Sequence, residues 1–134
     1  GEGIVRNRTH VAMDGMGVFA FTMSKVPKCI KNLLENFCID VDEVDYLLLH
    51  QANQYIDEKI RKKMRFSKDK TPYCLEKFGN TSSGTIPMTM VTKISEQLRG
   101  GKNKLVMSGF GAGLSWAAVY VETEFIEVLP LIEI

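Results

Sequence analysis

The 134-residue chain is 45% hydrophobic and 25% charged, with mean hydropathy −0.05, which is the balance of one soluble globular domain with a core of its own. Seventeen Lys plus Arg against sixteen Asp plus Glu leave a net charge of +1, too little to hold a polyanion, so nucleic acid is not an expected partner. The apolar runs Leu47 to Leu49 and Leu105 to Met107 fall far short of the roughly 20 residues that cross a bilayer, so no membrane span is expected.

From Met16 to Cys38 the apolar residues Phe19, Met23, Val26, Ile30, Leu33, Leu34 and Phe37 recur every three or four positions, the stripe of a helix that Pro27 interrupts and kinks. Tyr46 to Leu49 reads as a short strand covered on both faces, and therefore parallel to its neighbour. Asn53 to Met64 follows as an amphipathic helix, with Ile56, Ile60 and Met64 on one side and Lys59, Arg61, Lys62, Lys63 and Arg65 crowding the others. After a polar loop and the stretch Tyr73 to Phe78, the run Gly79-Asn80-Thr81-Ser82-Ser83-Gly84 leads into one helix. That helix carries Ile86, Met90, Ile94 and Leu98, has Pro87 in its first turn and ends at Gly100-Gly101. Lys104 to Ser108 and Leu114 to Val121 are strands joined by the turn Gly109-Phe110-Gly111-Ala112-Gly113. No repeat or low-complexity tract interrupts this alternation, so the class is a layered α/β domain.

Three places could carry chemistry. His50 closes a buried strand just before a helix, where α/β folds bind ligands. The positive end of that helix is expected to lower its pKa and keep the ring neutral. A histidine merely tied to backbone at a helix start fits the same spacing. Asn80 sits in a run of small residues ahead of a helix and can both donate and accept, although a Ser or Thr capping that helix accounts for the run equally well. The Gly109 to Gly113 loop follows a strand but also precedes one, so a dinucleotide-binding reading fails. Cys29, Cys38 and Cys74 are an odd set without CxxC spacing, which suggests neither a disulfide framework nor a metal site and suits a reducing, cytoplasmic setting.

Taken together, Met13-Asp14-Gly15, His50-Gln51-Ala52-Asn53, Gly79-Asn80-Thr81-Ser82 and Gly109-Phe110-Gly111-Ala112-Gly113-Leu114-Ser115-Trp116 resemble the C-terminal half of a β-ketoacyl-acyl carrier protein synthase III, a thiolase-fold condensing enzyme. A thiolase proper is expected to place a cysteine in the closing loop, and Gly109 to Gly113 has none. The resemblance implies a thiolase-like α/β half-domain with a mixed five-stranded sheet and packed helices. It divides the chain into a leader (1–8), a family-like core (9–122) and an apolar tail (123–134) whose Phe125, Ile126, Val128, Leu129, Leu131 and Ile132 should fold back or pair with a neighbour.

By the same resemblance, His50 and Asn80 donate hydrogen bonds to a malonyl thioester carbonyl as it loses carbon dioxide. The Gly111-Ala112-Gly113 loop, with Ala112 where many members carry Gly, would serve the acyl oxyanion. Lys59, Lys62 and Lys63 would meet an acidic carrier protein, with Tyr55 standing where the best-known bacterial members have Arg. The substrates implied are an acyl-CoA and malonyl-acyl carrier protein, with no cofactor and no metal. The implied partners are acyl carrier protein, a coenzyme A thioester, the cysteine-bearing N-terminal half and further copies of the chain. Because the acylated cysteine belongs to that other half and none of Cys29, Cys38 and Cys74 has an evident base beside it, these residues alone are expected to be inactive. The competing reading is a non-catalytic thiolase-fold module that binds carrier protein, coenzyme A or a partner half.

Overall fold

The computed structural model describes residues 13–132, so the expected leader 1–8 and the first residues of the expected core lie outside the described residues. Helix α1 (Gly15–Asn36) starts where the Asp14 carboxylate accepts the Gly17 amide, and, contrary to the interruption expected there, it runs unbroken through the buried Pro27. Strand β1 (Tyr46–Leu49) leads through His50 to helix α2 (Gln54–Lys63), whose cap Asn53 accepts the Ile56 amide. The short helix α3 (Leu75–Phe78), α4 (Thr85–Lys93) and α5 (Ser95–Gly100) bring the chain to β2 (Asn103–Gly111), which turns into β3 (Ser115–Thr123).

β1 pairs parallel with β2, from Tyr46 opposite Leu105 to Leu49 opposite Ser108, and β2 pairs antiparallel with β3, from Asn103 opposite Thr123 to Gly111 opposite Ser115. The sheet is mixed, as expected, and has three strands among the described residues where the resemblance implies five. The outer edge of β1 is met by a loop, since the Leu47 amide donates to the Lys70 carbonyl.

Alternation along the strands builds two cores. Leu47, Leu49, Val106 and Phe110 face Val26, Ile30 and Leu34 of α1 and Ile56 and Ile60 of α2. Leu48 and Leu105 face Ile94 and Leu98 on the other side, joined by Val128. The tail therefore folds back: the Ile126 amide donates to the Leu98 carbonyl, and Val128 is 8% exposed.

Three local expectations are corrected. The single helix after Gly84 is two, broken at Ile94, whose φ of −132° and ψ of 19° leave the helical region. Its start is Gly84 with no side-chain cap, so the Ser/Thr capping account of the small-residue run fails. The turn between β2 and β3 is shorter than Gly109 to Gly113, because Gly109, Phe110 and Gly111 still pair in the ladder.

Candidate functional site

The C-terminal ends of β1 and β2 open onto a cavity of about 850 Å³ lined by His50, Asn80, Thr85, Phe110, Gly111 and Ala112, among others. Residues from three separate stretches thus converge, and Gly113 lies outside the lining. Ala112 adopts no positive φ, so Ala serves there as well as Gly; the left-handed backbone falls on Gly113, with φ of 141°.

His50 is held from several directions. Its amide donates to the Ser108 carbonyl at 2.8 Å, fixing the backbone to β2. Its ring meets Phe110 edge-on, with centroids 5.3 Å apart, and Nδ1 lies 2.8 Å from Oγ1 of the buried Thr85. The ring's pKa is lowered as expected, but burial is the leading cause rather than the helix end, and a backbone hydrogen bond with Ser82 opposes it. The start of α2 is occupied by its own cap, Asn53.

Asn80 is exposed at the mouth of the cavity. Its Oδ1 accepts the Ser82 amide at 2.9 Å and its Nδ2 reaches the Ala52 carbonyl at 3.4 Å, so the amide group is oriented with its donor side away from Ser82. Ser82 itself has φ of 56°, a left-handed conformation uncommon for Ser. Sequence reasoning passed over Thr85; its signal was a hydroxyl two residues before Pro87, where the helix has just begun.

Behind the ring runs a second set of bonds. Gln51 is fully buried; its Nε2 donates to the Leu49 carbonyl and its Oε1 accepts the Cys74 amide. The Cys74 Sγ lies 3.2 Å from the Thr89 hydroxyl, and that hydroxyl donates to the Thr85 carbonyl. Cys74 is thus buried in a structural network, Cys38 is exposed, and Cys29 lines a different cavity beside Trp116. None of the three lines the cavity at His50.

The basic helix α2 divides into roles. Lys59 and Lys62 are exposed, and the Lys59 ammonium sits 5.3 Å from the ring centre of Tyr55, which stacks on Phe19. Arg61 faces inward instead, paired with Glu58 and donating to the Phe66 carbonyl at 2.6 Å. The Lys63 ammonium donates to the Met23 carbonyl of α1 at 3.0 Å. Lys59, Lys62 and Lys63 all stand apart from the residues that line the His50 cavity.

Residues 34–123 match the family described as 3-oxoacyl-(acyl-carrier-protein) synthase III C terminal. A β-ketoacyl-(acyl-carrier-protein) synthase III of Streptococcus gordonii is 40% identical over 114 residues, covering 84% of this chain and 35% of that protein. One from Oceanobacillus iheyensis is 39% identical over 110 residues, 82% of this chain and 35% of that protein. Among solved structures, a 3-oxoacyl-(acyl-carrier protein) synthase from Burkholderia xenovorans superposes with a TM-score of 0.84 at 32% identity, over 88% of this chain and 34% of that one. The synthase III of Aquifex aeolicus gives 0.76 at 29% identity, over 83% and 36%. The chain spans about a third of the length of these relatives, and by the share of it that matches, it belongs to the 3-oxoacyl-(acyl-carrier-protein) synthase III C-terminal family, with a thiolase-like α/β fold.

Proposed function

We propose that this chain is the C-terminal half of a 3-oxoacyl-acyl carrier protein synthase III-type acyltransferase, which joins an acyl primer to a malonyl-carrier thioester with loss of carbon dioxide in fatty acid or related biosynthesis. The observation that carries the reading is the convergence of His50, Asn80, Gly111 and Ala112, from three distant stretches, on one cavity at the strand ends. Decarboxylation leaves an enolate oxygen with developing negative charge, and fixed donors in a sheltered site stabilise it. Asn80 is a fixed donor in this role and His50 donates when its ring carries the proton, while the turn Gly111-Ala112-Gly113 would serve an acyl oxyanion brought by the cysteine of an N-terminal half. Lys59 and Lys62, with Lys63 in part, offer cations to an acidic carrier protein.

In this reading the substrates are an acyl-CoA and malonyl-acyl carrier protein, no cofactor or metal is needed, and the chain works in the cytoplasm as part of a homo-oligomer. Residues 9–122 form the working core, 1–8 a leader and 123–134 an apolar tail. No helix among the described residues is long and apolar enough to cross a membrane.

The test is reconstitution with a cysteine-bearing N-terminal half, supplied as a second polypeptide. Ketoacyl product is expected from the pair and not from the chain alone, and His50→Ala or Asn80→Ala should each cost about 100-fold or more in rate. Product from the chain alone that depends on Cys29, Cys38 or Cys74, or a reconstituted activity indifferent to both substitutions, overturns the reading. Binding of carrier protein without turnover in the pair would favour the non-catalytic module.

A further inference from the structure

We infer that Thr85 is a positioning residue that holds the proton of neutral His50 on Nδ1, leaving Nε2 as a proton acceptor. The Thr85 Oγ1 stands 2.8 Å from Nδ1, and the same hydroxyl donates to the Ser82 carbonyl at 3.1 Å. A hydroxyl has one hydrogen and two lone pairs. With its hydrogen on the Ser82 carbonyl, Oγ1 turns a lone pair to the ring, and the hydrogen between the two groups must come from Nδ1. This order makes two hydrogen bonds from these groups; the reverse, hydroxyl to Nδ1, makes one and leaves the Ser82 carbonyl with the Thr85 amide alone. The Ser82 backbone also favours the protonated ring, as a carbonyl facing an N–H does. Thr85 is 1% exposed, so water is poorly placed to relieve it of either bond.

The consequence rests on the proposed function. Asn80 can donate to a substrate oxygen in every protonation state, whereas His50 does so through Nε2 only after that nitrogen has taken up a proton. Neutral His50 suits a group that brings a hydrogen, such as the free thiol of a pantetheine arm. The two members of the pair are therefore unequal: Asn80 meets a carbonyl oxygen as a fixed donor, and His50 follows the proton.

The tautomer is read without substrate, so its test stands apart from that of the reaction. In the ¹⁵N-labelled 134-residue chain at about pH 8, well above the ordinary histidine range, a long-range proton–nitrogen correlation distinguishes a protonated ring nitrogen from a bare one. His50→Gln identifies the signals against those of His10, the only other histidine. Nδ1 is expected to be protonated and Nε2 bare. Thr85→Val should move both nitrogens toward the Nε2–H form that untethered imidazole favours, and Thr85→Ser should restore the original pattern, with backbone amide dispersion reporting the fold of each variant. A bare Nδ1 in the unsubstituted chain overturns the inference whatever the variants do, as does a pattern unmoved by Thr85→Val in a folded variant.

Discussion

Lys63 supplies the hydrogen that Pro27 lacks. In α1 the carbonyl of Met23 would ordinarily accept the amide of residue 27, but Pro27 has none, and the Lys63 ammonium of α2 donates to that carbonyl at 3.0 Å. The bond docks α2 on α1 and accounts for a helix that passes through a proline unbroken. Lys63→Ala should therefore destabilise by about 1 kcal/mol, less than a sheltered hydrogen bond to a charged group contributes, because Lys63 is exposed. Pro27→Ala restores the amide, so the Lys63→Ala loss should shrink in that background. A double-mutant cycle by urea unfolding measures the coupling; equal losses in both backgrounds would remove Lys63 from this role.

Asp57 gives the fold a pH dependence. It is fully buried on α2, neither carboxylate oxygen has a hydrogen-bond partner among the described residues, and burial, aided by the charge of Glu58, raises its pKa to about 8. A carboxyl whose folded pKa lies above its unfolded value of 3.8 binds its proton more tightly in the folded state. Stability from this group is complete below pH 3.8 and declines as pH rises to about 8, at no more than about 1.4 kcal/mol per pH unit. Asp57→Asn should flatten that slope. Unfolding by urea across this pH window decides it, and parallel slopes for both proteins would show that Asp57 ionises inside without penalty.

The tail should hold the second core closed. Val128→Asp places a carboxylate against Leu98 and Leu105 and is expected to cost about 2–3 kcal/mol. Removing residues 124–134 should have a similar effect and expose Ile94 and Leu98, with self-association visible as faster sedimentation at micromolar concentration. Variants as stable as the parent chain and sedimenting no faster than it would make the tail an ornament on a core that closes without it.

Much of this arrangement is legible in the order of residues. Tyr46 to Leu49 announces a doubly covered strand because no polar side chain interrupts it, and the two glycine-rich turns with His50 mark the ends that meet. The break at Ile94 is hidden because Ile86, Met90, Ile94 and Leu98 keep four-residue spacing throughout. Each such step overshoots a helical turn by about 40°, so three steps turn the stripe about 120° away from the sheet. Breaking the helix at Ile94 lets both Ile94 and Leu98 return to Leu48 and Leu105. Asp57 and Arg61 were hidden for a related reason. Each follows an apolar stripe residue, Ile56 or Ile60, and shares its buried side of α2, so a charge count alone assigns them to water. The role of Thr85 depends on where a hydroxyl meets a ring 35 positions away, which no local pattern records.

The buried amide of Gln51 closes a circuit. From Gln51 the bonds run to Cys74, to Thr89, to Thr85 and back to His50, one residue before the start. The imidazole is thus reached from Cys74, just ahead of α3, and from α4, and its aim is a property of how α4 seats on β1. A disturbance at Cys74, remote in sequence and shut away from solvent, would register at the ring as misalignment while the cavity walls stayed in place. In this chain the aim of His50 is stored in the interior, behind the cavity it lines.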